Sequence, residues 1–446
     1  MTAQPLGSGS GADGAAYRLL RRVMDVQPGE VRALAWSWLY IFCVLCAYYI
    51  IRPIRDDMGV ASGVETLPWL FTGSLLGMML VNPPFAALVA RLSRVRFISL
   101  AYGFFVANLL LFFLLLQVAT PAQNIWVGRI FFIWTSVFNL FVVSIFWALM
   151  VDVFDAEQGK RLFGVIAAGA TLGSILGSSL TASLARHVEP TYLLLGSAFL
   201  LETAVLSVRR LSRLSEALRL RPAARGEEGP IGGGVLSGFT HAFRSRYLLN
   251  ISLYMLLYSV TSTFLYFEQA AIVNRSFADR AARTAFFAQV DLVVNVLTLG
   301  VQLFLTDRLL RSLGVALTLT LLPALSMVGF VALGVTPTVA IIVLFQVLRR
   351  TGNFAVARPT REVLFTVIPR EDKYKAKSFI DTVIYRSGDQ VGAWSYALLS
   401  GLGLSLTGIA LAAVPLSVVW LLNSFWLGRE QERLGAAFAP RSRVPV

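Results

Sequence analysis

About twelve apolar stretches, each long enough to cross a lipid bilayer as a helix, run through this chain. A helix needs roughly 20 apolar residues to span the hydrocarbon layer. The chain is 56% hydrophobic and 14% charged, and it lacks the ten-residue alternation of membrane β-barrels. It is therefore predicted to be an all-α polytopic membrane protein of twelve transmembrane helices. The spans are expected at 31–51, 66–90, 97–118, 125–151, 162–185, 190–208, 247–273, 284–306, 314–334, 338–357, 378–401 and 404–427.

The basic residues are unevenly divided between the loops on the two sides of the predicted bundle. They concentrate near both termini and in the loops that follow the even-numbered spans. Cytoplasmic loops are enriched in lysine and arginine, so the pattern predicts that both termini are cytoplasmic. The net charge of +14 then reflects topology and contact with the lipid bilayer, and no nucleic acid is expected as a partner.

The longest hydrophilic segment, residues 209–246, separates six spans from six. The predicted domains are a cytoplasmic tail (1–30), an N-terminal six-helix lobe (31–208), a cytoplasmic linker (209–246), a C-terminal six-helix lobe (247–427) and a second tail (428–446). The first span begins too late and runs too long for a cleaved signal peptide. Lysine is scarce among the basic residues, which suggests a high-GC genome and the inner membrane of a bacterium. A monomer is expected.

An internal repeat relates the two halves. The segment KRLFGVIAAGATLGSILG (160–177) aligns with KAKSFIDTVIYRSGDQVG (375–392), and FNLFVVSIFW (138–147) aligns with GNFAVARPTR (352–361). Two six-helix halves related in this way are the layout of major-facilitator transporters. Gly169, Gly173 and Gly177 recur at a spacing that lets two membrane helices approach closely. Two interpretations stay open: static packing, or a contact between the lobes that slides during transport.

Motifs for catalysis, metal binding or nucleotide hydrolysis are missing from the sequence. There is no Walker-type glycine-rich loop, and the two histidines lie in loops on opposite sides. Cys43 and Cys46 form a C-x-x-C pair inside the first span, where packing is the expected role. We therefore expect no catalytic residues, no metal and no cofactor, and a protein that is not an enzyme.

The tenth span carries charges at the depth of the bilayer centre. In LRRTGNFAVARPTREVLF (348–365), Arg350, Asn353, Arg358 and Arg361 share one arc of a helix, whereas Arg349 points elsewhere. Pro359 is expected to kink this helix. A central arginine costs at least ~2.5 kcal/mol on insertion scales, so it should face a carboxylate, water or an anionic ligand.

Other charges of both signs lie within the spans, and two explanations remain open for them. The first is that they pair with each other, for example Arg350 with Asp389 or Arg129 with Asp291. The second is an anionic substrate held by the arginines. For Arg358 and Arg361, an ordinary interfacial position is an equal alternative.

A family resemblance is carried by YYIIRPIRDDMGV (48–60), P-T-R-E (359–362), K-x-K-x-K (373–377), Asp381 and R-x-G (386–388). With these motifs the chain resembles the ATP/ADP translocases of plastids and intracellular bacteria. The resemblance implies a major-facilitator-like fold and carriage of ATP, ADP or related nucleotides, usually as exchange. It places Arg55 and Arg361 where the family has phosphate-binding lysines, and Glu362 on a family glutamate.

The chain also departs from that family, which predicts a divergent member. Asp389 replaces an eleventh-span lysine, and Thr135 or Ser136 stands where a fourth-span glutamate is expected. Glu268 lies only close to the position of the family's seventh-span glutamate.

Together these observations predict a transporter that carries a nucleotide-like small-molecule anion by alternating access. The expected substrate-binding residues are Arg52, Arg55, Arg129, Arg350, Asn353, Arg358, Arg361, Glu362 and Arg386, and Tyr48, Tyr49, Trp147 and Tyr385 are candidates to stack on a base. The expected coupling or gating residues are Asp56, Glu268, Asp291, Asp381 and Asp389. The alternatives are a proton-coupled major-facilitator symporter or exporter of another anion, and a non-transporting membrane receptor or assembly factor.

Overall fold

The computed structural model describes residues 26–27, 29–218, 245–368, 376–377 and 379–438, and the elements in this part of the chain are helical. We number the long helices α1 to α12. They are α1 Val31–Ala61, α2 Leu67–Arg91, α3 Arg94–Val118, α4 Pro121–Val153, α5 Ala156–Leu184, α6 Leu193–Leu218, α7 Arg246–Ser276, α8 Arg280–Phe304, α9 Thr306–Val335, α10 Val339–Gly352, α11 Tyr385–Gly401 and α12 Leu406–Phe438.

The prediction of an all-α polytopic membrane protein is confirmed. Eleven of the helical stretches in the described residues are long and apolar enough to span a membrane. The predicted eleventh span corresponds to α11, which is not among the eleven and which carries Arg386 and Asp389. Most of the predicted tail 1–30 and linker 209–246 lies outside the described residues. Helices α6 and α12 run past the predicted lobe ends, to Leu218 and Phe438.

The first span is longer than predicted. Its apolar run stops before Arg52, yet α1 continues to Ala61 and buries Asp56 and Asp57. The predicted end of the first span at residue 51 is therefore wrong, and Arg52 and Arg55 belong to the helix. The helix continues because carboxylates neutralise these arginines inside the bundle, which removes much of the cost of burying them.

Side-chain caps set the starts of several helices. Thr120 and Asp155 each form a capping box with the glutamine three residues later, at the starts of α4 and α5. Asp279 accepts a hydrogen bond from the backbone of Ala282 at the start of α8, and Thr338 caps α10 in the same way. Each cap satisfies an N–H group that the first helical turn leaves unpaired.

Equivalent helices pack alike in the two lobes. In the N-terminal lobe α5 lies against α1, and a Cβ on Gly173 would stand 2.3 Å from the carbonyl oxygen of Phe42. In the C-terminal lobe α11 lies against α7, and a Cβ on Gly388 would stand 3.0 Å from the carbonyl oxygen of Leu256. This agrees with the predicted repeat. The interpretation of the glycine stripe as a sliding contact between lobes is wrong, because α1 and α5 belong to one lobe.

We expect Gly173→Ala to force α1 and α5 apart and to destabilise the protein by about 1–3 kcal/mol, the usual cost of overpacking. The measurement is the thermal unfolding midpoint in detergent. Gly164→Ala in the same helix is the matched control, since no atom lies within 4 Å of its added Cβ. Equal midpoints for the two variants would show that α1 and α5 do not pack this closely.

The two ends of the bundle differ. We call the end at which α1 begins the terminal face, and the end at which α1 finishes the opposite face. The lobes touch where α5 packs on α8, α1 on α8 and α2 on α11. Near the opposite face Val60, Leu67 and Phe132 of the first lobe join the apolar core that contains Phe264 and Phe267 of the second. The opposite face is therefore closed by an apolar seal between the lobes.

Two of the long helices adjoin a segment with π-helical winding. Residues Asn353–Ala357 form a π-helical segment between α10 and a short helix Arg358–Leu364, and Ile380–Ile384 form another before α11. Pro359 offers no N–H to the turn before it, and the carbonyl of Ala355 instead accepts a hydrogen bond from Thr306 at 2.8 Å. Such π-helical turns are frequent at functional sites.

Candidate anion-binding site

Two arginines from different lobes meet on one carboxylate at the centre of the bundle. Arg52 Nη1 and Arg350 Nη1 each lie 2.7 Å from the same oxygen, Oδ1 of Asp291. The carboxylate is 3% exposed, and the arginine side chains are 20% and 16% exposed. We call these three residues the arginine pair and its aspartate. Asp56 also lies 4.0 Å from Arg52, and Arg349 lines the same space, so three arginines and two carboxylates meet here with a formal surplus of one positive charge.

The hydrogen-bonding capacity of this group is not used up. Within the described residues, Oδ2 of Asp291 and Nη2 of Arg350 are buried and have no hydrogen-bond partner. A buried polar atom without a partner costs free energy, and groups that remain so often await a ligand or water. The group lines a cavity of about 740 Å³, counting the space open at its mouth. We call it the main cavity.

The walls of the main cavity combine rings and polar groups. Five aromatic rings line it, from Tyr258, Tyr266, Phe287, Phe354 and Tyr385, together with Asn353, Gln269 and Gln346. Of the four aromatic residues predicted to stack on a base, only Tyr385 lines this cavity. The arginines of this cavity can bind the negative charge of an anion, and the aromatic rings can stack on a flat ring system in the same molecule.

A second, smaller cavity of about 300 Å³ lies on the other side of α1 and α11. Arg55, Arg386 and Asp389 line it. Arg386 Nη1 lies 3.3 Å from Asp389 Oδ2, and the hydroxyl of Ser259 donates to Oδ1 of Asp389 at 2.5 Å. The guanidinium of Arg55 stacks 3.9 Å above the ring of Phe132. We call this space the Arg55 cavity; two arginines and one carboxylate line it.

Arg349 differs from its neighbour Arg350, as the helical arc predicts. It is 2% exposed and donates hydrogen bonds to Ser326, to Thr261 and to the carbonyl of Tyr258, all within the C-terminal lobe. Its guanidinium also lies 5.8 Å from the centre of the Trp420 ring. This arginine therefore ties α10 to α7 and α9.

A charged clamp joins the lobes near the opposite face. Asp57 is fully buried and pairs with Arg280 at 3.2 Å and Arg283 at 2.7 Å, both at the start of α8. Nearby, the hydroxyl of Tyr266 donates to Asp56 at 3.1 Å across the same junction. Sequence reasoning missed the clamp because both arginines look like ordinary loop charges. The paired acids Asp56 and Asp57 at the end of α1 were the available signal.

The P-T-R-E residues lie nearer the terminal face, away from both cavities. Arg361 Nη2 is 3.4 Å from Asp381 Oδ1, and its Nη1 lies 2.9 Å from the sulfur of Met255. Glu362 pairs with Lys377, and Arg358 is exposed. These contacts link the short helix after α10 to the segment that precedes α11, so the structure does not bring these predicted substrate ligands to the arginine pair.

Two further predicted residues also stand apart from the arginine pair. Arg129 lies over the ring of Trp126 at 4.6 Å, near the start of α4. Glu268 is fully buried in the C-terminal lobe, where Tyr396 is its polar neighbour, although the geometry of that contact falls short of a hydrogen bond. The two ion pairs suggested from sequence are wrong in their partners. Asp291 pairs with Arg350 and Arg52 instead of Arg129, and Asp389 pairs with Arg386.

Outside the spans, one buried carboxylate joins α1 to α5 at the terminal face. Glu30 accepts hydrogen bonds from Arg161 at 2.9 Å and from Gln158 at 2.9 Å. Burial acts to raise the pKa of the Glu30 carboxyl, but the bond from the backbone of Gln27 and those from Arg161 and Gln158 outweigh it. The pKa is thereby lowered, and the group stays ionised.

Two packed six-helix lobes, with charged residues from both meeting in a central cavity, define a membrane transporter of the two-lobed type. A family model described as Major Facilitator Superfamily matches residues 37–385. The chain belongs to the major facilitator superfamily.

Solved structures show the same fold. One is a bacterial homologue of the iron transporter ferroportin in an inward-facing state. It matches with a TM-score of 0.64 and 13% identity over 89% of this chain and 99% of that one. An auto-inhibited POT family peptide transporter matches with a TM-score of 0.61 and 16% identity over 90% and 97% of the two chains.

Sequence relatives confirm the resemblance noted above. ADP,ATP carrier protein 1 of Chlamydia trachomatis serovar D is 22% identical over 494 aligned residues, which cover 92% of each chain. ADP,ATP carrier protein 2 of Chlamydia pneumoniae is 21% identical over 93% of this chain and 91% of its own. At this identity a divergent member is the appropriate description.

Proposed function

We propose that this transporter carries a nucleotide or a closely related phosphorylated anion by alternating access, in exchange for a second such anion. The observation that supports this most is the meeting of Arg52 and Arg350 on one oxygen of Asp291. Arginine binds phosphate well because its planar guanidinium offers a fork of donors. The surplus positive charge of the group favours an anion over a neutral or cationic solute.

The shape of the site supports a nucleoside part as well as a phosphate. The aromatic rings of the main cavity can stack on a base, while Asn353 and Gln346 offer amide groups to its polar edge. The relatives named as ADP,ATP carriers make the same class of substrate the first one to test.

The Arg55 cavity supports a substrate different from that of the named relatives. Asp389 stands where the resemblance implies a lysine, and it neutralises Arg386 there. Replacing a cation by an anion lowers the formal charge of this cavity by two. We therefore propose a substrate with fewer negative charges than ATP.

The closed opposite face supports a conformation that is accessible from the terminal face. The clamp at Asp57 and the apolar seal both lie on the opposite side of the arginine pair. With the termini in the cytoplasm of a bacterium, as the basic loops predict, this is an inward-facing state. Arg52 and Asp291 come from one chain, so we propose a monomer as the working unit.

The test is uptake of labelled AMP, ADP and ATP into proteoliposomes that are empty, loaded with nucleotide, or held at a lower external pH. Uptake only into loaded vesicles is expected, because an empty carrier with surplus arginine charge reorients slowly. Folded protein that takes up none of the three nucleotides under any condition would exclude the proposal.

Proton-coupled transport of an anion is the second candidate, and Glu268 favours it. A buried carboxylate without an ion pair among the described residues is costly when ionised, so it is suited to binding a proton. Uptake into empty vesicles that depends on the imposed pH gradient would select this candidate over exchange.

A further inference from the structure

Asp291 occupies the place between the arginines that the anionic group of a substrate would need. Its Oδ1 receives both guanidinium groups at 2.7 Å, one from each lobe. A carboxylate oxygen and a phosphate oxygen are similar acceptors for arginine. Arg52 and Arg350 therefore already bind an anionic group, which is the carboxylate of Asp291.

We propose that Asp291 is an internal counter-anion that sets how many negative charges the transported substrate carries. This inference rests on the proposed function. With Asp291 in place, the three arginines and two carboxylates that line the main cavity carry one positive charge in surplus; without it, the surplus would be two. Opposite charges a few ångströms apart in a partly buried site interact strongly, so one unit of charge changes the preferred ligand.

The arrangement also links binding to movement of the lobes. Arg52 lies on α1 in the N-terminal lobe, whereas Arg350 and Asp291 lie in the C-terminal lobe. An anion that takes over Arg52 releases the ion pair that ties the lobes together at this depth. The substrate replaces that tie by its own contacts with both arginines.

The experiment measures binding of inorganic phosphate, pyrophosphate and tripolyphosphate to the full-length protein in detergent, by calorimetry. These probes differ in charge but carry no base. Asp291→Asn is expected to raise the ratio of tripolyphosphate to phosphate affinity by at least about tenfold. Arg52→Gln changes the charge in the other direction and is expected to lower this ratio by a similar factor.

Two further variants serve as controls. Asp291→Glu keeps the charge and should retain the wild-type ratio. Asp307→Asn makes the same chemical change in an exposed pair with Arg311 on the surface, and should also leave the ratio unchanged. Because Asp291→Asn and Arg52→Gln predict opposite shifts, either variant tests the inference even if the other does not fold.

An affinity ratio that stays within twofold of wild type in Asp291→Asn or in Arg52→Gln would overturn the inference. The outcome is separate from that of the proposed function. Nucleotide uptake together with an unchanged ratio would reject only the role of Asp291. Shifted ratios in a protein that transports no nucleotide would keep the role of Asp291 and reject the nucleotide as substrate.

Discussion

Arg350→Gln is expected to lower the apparent affinity for the transported anion at least about 30-fold while the protein still folds. The substitution removes one of the two guanidinium groups that share Asp291 in the main cavity, and losing a partner of a buried charged contact costs about 2–5 kcal/mol. Folding should survive because Asp291 keeps Arg52 as its counter-ion at 2.7 Å. The measurement is concentration-dependent uptake, normalised to folded protein in the vesicles.

Arg349→Gln is the comparison, since it makes the same change one residue earlier. Arg349 donates hydrogen bonds to Ser326, to Thr261 and to the carbonyl of Tyr258. Arg349 also lines the main cavity but is only 2% exposed. We expect this variant to change the thermal midpoint and the yield, with affinity in the folded fraction within about threefold of wild type, because the hydrogen bonds that it loses are to the protein itself. Reversed behaviour of the two variants would show that Arg350 is structural.

Asp57→Asn is expected to open the opposite face. Asp57 is the fully buried carboxylate that Arg280 and Arg283 share, and its loss leaves two cations side by side at the junction of the lobes. Breaking a buried ion pair by removing one partner costs about 3–5 kcal/mol. Only the conformation that is closed at this face is destabilised. The equilibrium should therefore shift about 100-fold or more toward the conformation that is open at this face.

The readout is labelling of a cysteine at Ser262→Cys, which lines the main cavity, by a maleimide that does not cross the membrane. Reagent applied at the opposite face should label the Asp57→Asn protein faster than the parent. Asp279→Asn is the matched control, because Asp279 caps α8 one residue before Arg280 without bridging the lobes. Unchanged labelling in Asp57→Asn would show that other contacts hold this face closed. The native cysteines are buried, so their background is low.

Hydropathy and spacing were sufficient to predict the helical bundle. Spans near α1 to α12 follow from apolar length, because the bilayer requires helices of roughly 20 residues. The matching glycines of α5 and α11 likewise predict matching close contacts, since only small residues allow two helix backbones to approach. The sequence also predicts that Arg349 and Arg350 make different contacts, because adjacent residues of a helix point about 100° apart.

The sequence did not determine which arginine forms an ion pair with which carboxylate. Several arginines and carboxylates lie at similar depths, and each possible pair satisfies the same desolvation argument. Asp291 pairs with Arg52 from the other lobe, and Asp57 reaches two arginines that had the appearance of loop charges. These contacts join residues more than 200 positions apart along the chain.

The sequence by itself determined that this chain is a two-lobed helical membrane protein with more buried positive than negative charge in its tenth span. Those properties depend on local composition and on helical period, which are present in any stretch of chain. Only the tertiary structure decided that Arg52 and Arg350 share Asp291, that Arg361 turns to Asp381, and that Asp57 closes one face. Ion pairing depends on distances of a few ångströms between helices, and these are set by how the two lobes pack.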